Sequence, residues 1–170
     1  HDSSMILKEN IDILFVPSDN ELYSNRYLTY IDVEKISQPL CGHFRLGHFK
    51  GVATIVAKLL NIVQPHTMYL GQKDAQQVVV LKTMVQDLNF SVKVKVVTTI
   101  RETDGLAMSS RNKYLSPKDR QDAVVLYKAL QLAQKIVESK KGSPAKIKAI
   151  IEFLIKKESS GKIQYVECVN

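Results

Sequence analysis

Three short segments hold residue types that can do chemistry together. In Met68-Tyr69-Leu70-Gly71-Gln72-Lys73-Asp74-Ala75-Gln76-Gln77, a glycine closes an apolar run and a helical pattern begins at once. If the run is a parallel strand, Gly71 lies at its carboxyl end, where open α/β sheets bind ligands. The helix start that follows offers N–H groups and a positive dipole to phosphate. Lys73 adds a mobile full charge, and Asp74 can accept hydrogen bonds from ribose hydroxyls. Gln77, one turn in, can face the same crevice. The plain alternative is a glycine turn with a surface lysine and an N-cap aspartate.

The second segment is Arg101 to Asn112. Ser109, Ser110 and Arg111 present two hydroxyls and a guanidinium in a row, beside the flexible Gly105. Such an array can hold a polyphosphate, because Arg forks onto two oxygens and hydroxyls donate to the remainder. A solvated loop with an incidental Arg is the competing account. The third segment is Arg45-Leu46-Gly47-His48-Phe49-Lys50-Gly51-Val52. Here Arg45 can hold a carboxylate and His48 can donate a hydrogen bond, or Phe49 plugs the core and His48 is satisfied nearby. His43 and His66 read as surface or structural, and Asp87 and Glu102 have no spacing that suggests a carboxylate pair. Neither G-x-x-x-x-G-K-[ST] nor G-x-G-x-x-G occurs, which disfavours P-loop and dinucleotide sites.

Positioning these residues takes alternating strands and helices. Ile11 to Val16, closed by Pro17-Ser18, reads as a buried strand, and Thr29 to Val33 as a weaker one. Val52, Ile55, Val56, Leu59, Leu60 and Val63 recur at helical spacing, stopped by Pro65. Thr67 to Leu70 is a strand, Gly71-Gln72-Lys73 a tight loop, and Asp74 opens a helix with Val78, Leu81, Met84, Val85 and Leu88 on one side. Val92 to Thr98 alternates Val and Lys before Val97, as an exposed or half-covered strand does. The order implies an α/β fold on a parallel sheet. Beyond Thr99 the character changes. Ile100 to Lys113 reads as a functional loop or hinge, and Ser116-Pro117 opens a long helix to about Ser139. Gly142-Ser143-Pro144 opens another, carrying Ile147, Ile150, Ile151 and Leu154, and Lys162 to Val169 alternates as a strand. Residues 1–98 and 99–170 are therefore expected to form two domains.

Composition removes several function classes. The 170 residues are 45% hydrophobic and 24% charged, a globular balance. No apolar run can cross a bilayer, and His1-Asp2-Ser3-Ser4 is no secretory signal, so a cytoplasmic protein without a membrane partner is expected. The net charge of +7 includes Lys140-Lys141 and Lys156-Lys157 beside helical patterns, the usual mark of a solvated face. Aromatics are not interleaved with basic residues as on a single-strand platform, so no nucleic-acid partner is expected. Two cysteines, Cys41 and Cys168, are too few for a disulfide framework. Cys41, His43 and His48 match no common zinc spacing, and no metal ligand set is assigned.

Taken together, the motifs resemble the pantothenate synthetase family, the ligases that join pantoate to β-alanine. Ile11 to Ser18 is similar to its strand into an A-P-S turn, with Val16 in place of Ala. Arg45 to Val52 resembles its R-x-G-H-F-x-G-V stretch. Gly71 to Gln77 matches G-x-K-D-x-Q-Q, and Asp104 to Leu115 matches D-G-L-A-x-S-S-R-N-x-Y-L. The resemblance implies a Rossmann-like nucleotidyltransferase domain followed by a smaller α+β lid domain, usually in a homodimer. It implies ATP as substrate with Mg²⁺ as its companion, and a pantoyl-adenylate intermediate that β-alanine's amine attacks. Gly71, Gln72, Lys73 and Asp74 would hold ATP, with Lys73 on phosphate and Asp74 on ribose. Ile100 would pack by the adenine, and Met108, Ser109, Ser110 and Arg111 would close on the triphosphate. Lys73, Ser109, Ser110 and Arg111 would carry the catalysis, and Gln77, Arg45 and His48 would bind pantoate.

The departures shape a further expectation. That family opens with a strand and an H-x-G-H segment that meets the phosphates, and this sequence has neither; Gly42-His43 and Gly47-His48 lie in the wrong place. An early pantoate-binding Gln and an acidic region near the metal are also missing, and the family's closing strands would follow Asn170. The sequence therefore corresponds to the middle and later part of such an enzyme, with an incomplete sheet and lid, and negligible catalysis is expected of it alone. A noncatalytic nucleotide-binding or dimerisation module is the alternative.

Overall fold

The computed structural model describes residues 6–140 and 142–169. The chain falls into two compact units, residues 1–30 and residues 31–170. In the first unit, Ser18 opens a single helical turn, Asp19–Leu22, through a reciprocal capping box with Glu21. Tyr23, Tyr27 and Tyr30 pack edge to face, with ring centroids 5.0 and 5.4 Å apart.

The second unit holds the sheet. Helix α1, His48–Val63, starts behind Gly47, whose φ of 74° is open to glycine without strain. Strand β1, Thr67–Gly71, leads through a 3₁₀ turn at Gln72–Asp74 into helix α2, Ala75–Asp87. Strand β2, Lys93–Val97, returns parallel to β1, pairing Thr67 with Lys93 and Gly71 with Val97. This strand–helix–strand unit is the expected α/β arrangement.

The core lies where α1 and α2 pack together over one face of the two strands. Val80 and Leu81 are fully buried, with Met84 beside them, and Met68, Leu70, Val92 and Val94 pack from the sheet side. Each large side chain buried there contributes about 1.5–3 kcal/mol. The other sheet face is open: Tyr69 is 62% exposed, and the Lys95 Nζ lies 5.6 Å from its ring. The V-K-V-K alternation of β2 thus reflects one covered and one wet face.

On α1 the periodicity finds Leu60, which is buried, but misses the deepest residue, Ala53. Ala53 and Ala57 are buried, with Phe49, Thr54 and Leu60, whereas Val63 is 52% exposed. Small residues let the helix backbone come close to its neighbours, so they share the contact stripe with Phe49 and Leu60, and Val52 and Val56 pack beside it. Thr54 joins this stripe because its hydroxyl is fully used. It donates to the Lys50 carbonyl at 2.7 Å and accepts from the Ile31 N–H at 2.9 Å.

Several expected elements differ. Residues 11–16 and 29–33 form no strand, and among the described residues the sheet has two strands. Ile13 and Val16 are 83% and 73% exposed. An apolar run permits a strand, but a strand needs a ladder, and among the described residues neither segment is paired into one. Residues 162–169 also form no strand; they are tied by side chains, with Tyr165 stacked on Phe44 at 5.7 Å and Glu167 paired to Lys148 at 2.8 Å. The expected long helix is two, α3 at Pro117–Asp122 and α4 at Val125–Glu138. Between them Leu126 and Tyr127 bond three residues back, to Ala123 and Val124, a tightening that apolar spacing does not encode. Helix α5, Pro144–Glu158, packs on α4 around Val125, Ala129 and Ile155. Ser116 and Ser143 cap α3 and α5 as expected. Of the basic pairs, Lys156 and Lys157 are exposed, and Lys141 lies outside the described residues.

Thr54→Val keeps the volume but strands the Ile31 N–H, so it should lower the unfolding free energy by about 1–2 kcal/mol in a denaturant titration. Thr54→Ser should retain most of it.

Candidate functional site

Because Gly71 and Val97 pair, both strands end at one level and the chain leaves them on the same side. From β1 it enters the Gln72–Asp74 turn, and from β2 it runs through Thr98 and Thr99 to residues 101–107. An open crevice of about 540 Å³ lies between these exits, lined by Gln72, Lys73, Thr98, Arg101, Ala107 and Tyr127 among others. It stands at the carboxyl ends of parallel strands, the usual ligand position in such sheets. The Lys73 ammonium sits 3.0 Å from the Asp74 carboxylate, with both side chains exposed. A pair of adjacent exposed residues is weak, so an incoming anion can displace it.

Residues 100–108 double back as a tight hairpin. Arg101 bridges Ala107 antiparallel, and the Met108 N–H donates to the Ile100 carbonyl at 2.9 Å. At the tip the Gly105 N–H donates to the Glu102 carbonyl, and the Asp104 carboxylate accepts from the Leu106 N–H. Gly105 has φ +95°, and a Cβ there would lie 2.1 Å from the Tyr127 ring. Conformation and space both require glycine at this tip. The Arg101 guanidinium lies 4.2 Å from the centroid of that same ring and donates to the Gly105 carbonyl at 3.1 Å. The segment expected to be a functional loop or hinge is therefore anchored along one side.

The hairpin delivers Ser109, Ser110 and Arg111 to a 3₁₀ turn, Ser110–Tyr114, capped by the Ser109 hydroxyl oxygen, which accepts from the Arg111 N–H at 3.2 Å. That oxygen keeps its own proton to donate. Ser110 and Arg111 are exposed, and Ile100 and Met108 are 69% and 57% exposed. None of these five lines the crevice wall itself, although Ala107 does. Behind them Arg120 of α3 forks onto two carboxylates, Glu102 at 2.6 Å and Asp104 at 2.7 Å. Asn112 donates to the other Glu102 oxygen and to the Ala107 carbonyl, each at 3.1 Å. The Arg120 hydrogen bond holds the Glu102 carboxyl below the usual range, helped by Asn112. Arg120 and the Leu106 N–H do the same for Asp104. Glu102, which sequence spacing left unpaired, is thus half of a carboxylate pair joined by one arginine.

The two glutamines separate in role. The Gln76 amide donates to the Ile36 and Pro39 carbonyls and accepts from the Cys41 N–H, at 3.0, 2.8 and 3.1 Å. It holds the backbone on both sides of Leu40, which adopts a φ of 54°. Gln77 is half-buried. Arg45 lines a second pocket of about 310 Å³ with Asp32, His43 and Lys50. His48 is the first residue of α1, half-buried, its ring 5.0 Å from that of Phe49, which does plug the core. Arg45, His48 and Gln77 do not line the strand-end crevice. Among the described residues no group of three or more His, Cys, Asp or Glu converges to hold a metal, the Cys41, His43 and His48 trio included. Arg101, Gln76 and Arg120 had no local signal in the sequence, because each acts through partners distant in the chain or through backbone carbonyls.

The sequence model of the pantoate-beta-alanine ligase family matches residues 1–170. A pantothenate synthetase of Acetivibrio thermocellus is 51% identical over 160 residues, covering 94% of this chain and 57% of that protein. The Caldicellulosiruptor bescii pantothenate synthetase is 49% identical, covering 99% and 60%. The crystal structure of pantothenate synthetase from Thermus thermophilus superimposes with TM-score 0.87 at 42% identity, covering 92% of this chain and 56% of that one. Pantoate-beta-alanine ligase from Francisella tularensis, solved with beta-gamma ATP and beta-alanine, gives 0.80 at 32% identity, covering 99% and 61%. The chain thus spans a little over half the length of the relatives it matches. No described helix is long and apolar enough to cross a membrane.

Gly105→Ala should force the Tyr127 ring away and cost about 1–3 kcal/mol of stability, read from the midpoint of unfolding. The carboxylate pair also sets a pH dependence. Depressed folded-state values mean that its contribution is complete above the ordinary carboxylate pKa of about 4 and is lost as pH falls through the lowered values. Protection factors of the 102–112 amides should be level from pH 6 to 8 and decline below about pH 4.

Proposed function

The chain belongs to the pantoate-beta-alanine ligase family, and on that premise we propose that it carries the nucleotide grip of an ATP-dependent carboxylate–amine ligase. The observation that carries the reading is the strand-end crevice, with Lys73 on one wall and the hairpin leading to Ser109-Ser110-Arg111 on another. In this reading residues 1–98 are the later part of the nucleotide and pantoate domain, and residues 99–170 form part of the lid.

Gly71 lets the chain turn beneath the phosphates, and Gln72 and Lys73 reach them. Asp74 exchanges its bond with Lys73 for the ribose hydroxyls. Ile100 packs by the base, and Met108, Ser109, Ser110 and Arg111 close on the triphosphate. Arg45, His48 and Gln77 receive pantoate, Gln77 being assigned because Gln76 already spends three of its hydrogen bonds on backbone.

The chemistry of the whole ligase follows from charge. A carboxylate repels nucleophiles, so the pantoate carboxylate first attacks the α-phosphorus of ATP, and the bond to pyrophosphate breaks. β-Alanine's amine then attacks the acyl carbon, forming the amide and releasing AMP. Charge grows on phosphate oxygens in the first step, and Lys73, Arg111 and the two hydroxyls are the groups that stabilise it. Mg²⁺ accompanies the triphosphate and is assigned no protein ligand here. Cytoplasmic location and homodimeric assembly belong to the same family-based reading.

Lys73→Ala and Arg111→Ala should each weaken binding of a non-hydrolysable ATP analogue about tenfold, as loss of one charge-assisted contact to phosphate would. Calorimetry giving unchanged affinity for both variants would sink the reading.

A further inference from the structure

We propose that Arg120 is a positioning residue for the phosphate-facing serines and arginine, acting through Glu102 and Asn112; this rests on the nucleotide reading above.

An isolated surface ion pair would not support such a role, since exposed pairs contribute little. Arg120 differs in its connections. One guanidinium takes two carboxylates that stand on either side of Thr103 in the hairpin, at 2.6 and 2.7 Å, so it fixes the hairpin tip at two points. Its side chain is 27% exposed, the most covered of the three. The Glu102 oxygen not used by Arg120 accepts from the Asn112 amide. Asn112 also bonds the Ala107 carbonyl through its side chain and the Ser109 carbonyl through its N–H at 3.0 Å. Asn112 therefore closes the turn that carries Ser109, Ser110 and Arg111. The chain of contacts runs from Arg120 through Glu102 and Asn112 to the residues flanking those three.

The anchor itself is held. Arg120 lies in α3, whose start is fixed by the Ser116 hydroxyl accepting from the Asp119 N–H at 3.1 Å, and its own N–H bonds the Ser116 carbonyl at 2.8 Å. Without the guanidinium, Glu102 and Asp104 are like charges close together, and the hairpin tip loses its tie to the helix. Ser109 to Arg111 must then be ordered by the ligand, which weakens binding without removing any group that touches phosphate. Lysine cannot replace the fork, because one ammonium is a point charge without the planar five-donor geometry.

The test combines amide exchange with binding of a non-hydrolysable ATP analogue to this chain. Arg120→Ala should speed exchange at residues 102–112 at least tenfold, leave the α1 and α2 amides unchanged, and weaken analogue binding roughly fivefold to twentyfold. Arg120→Lys should fall between. Asn112→Ala, breaking the chain at its other end, should give the same local exchange and little added effect in the double variant. Unchanged exchange at 102–112, or faster exchange with wild-type affinity, overturns the inference alone. Exchange that rises equally in α1 and α2 marks a general structural role and also overturns it. Failure of the wild-type chain to bind the analogue instead overturns the nucleotide reading, and this inference with it.

Discussion

Everything in the candidate site depends on the register of β1 against β2. Pairing Thr67 with Lys93 brings Gly71 level with Val97, so the two chain exits face one another across a crevice rather than being staggered. A shift of one residue would turn Tyr69 and Lys95 toward the helices and Leu70 and Val94 toward water. The register is therefore enforced by the core: Met68, Leu70, Val92 and Val94 pack on the buried cluster of α1 and α2. Hydrophobic burial on one face of the sheet sets the geometry of polar chemistry at the strand ends.

Three polar side chains extend that order into segments with no regular structure. Thr54 fastens Ile31 to α1, Gln76 fastens residues 36–41 to α2, and Arg120 fastens the 102–112 segment to α3. Each bonds groups far away in sequence, and the two that reach backbone satisfy N–H or C=O groups that no helix or strand covers. Loops built this way hold a conformation at the cost of few apolar contacts. Leu40 shows the effect most plainly, since its positive φ persists between two residues, Pro39 and Cys41, that Gln76 bonds.

What the sequence made legible was local. The periods of α1, α2 and β2 are written in side-chain spacing, and the caps at Ser116 and Ser143 in residue type. The G-x-K-D turn at the end of β1 was legible for the same reason, being strand, glycine and helix in succession. Pairing was not legible. Residues 11–16 have the composition of a strand, but a ladder depends on an edge elsewhere, and Ile13 and Val16 remain exposed. Ala53 and Ala57 in the buried stripe of α1 were hidden because alanine counts little in an apolar pattern, although its small size permits the closest approach. Gln76 and Gln77 are the same letter in succession. Only the positions of Ile36, Pro39 and Cys41 separate them, and those are set by a fold that places residues some forty positions apart side by side.

The same accounting of hydrogen bonds divides scaffold from site. Gln76, Thr54, Asn112, Glu102 and Arg120 each bond two or more fixed partners. Ser110 and Arg111, by contrast, project to solvent from a turn whose backbone is closed, and Lys73 holds its neighbour's exposed carboxylate. A flexible guanidinium on a flexible loop would lose much of its binding free energy to ordering. Here the loop is ordered in advance by groups that never meet the ligand, so the exposed charges need only rotate about their own side-chain bonds. The hairpin tip is where this arrangement is most demanding. Gly105 must remain without a side chain so that Tyr127 can press against it and Arg101 can lie over the ring. The conformational freedom that glycine suggests in the sequence is used once, to make a close contact, and the loop it was expected to loosen is the one it helps to fix.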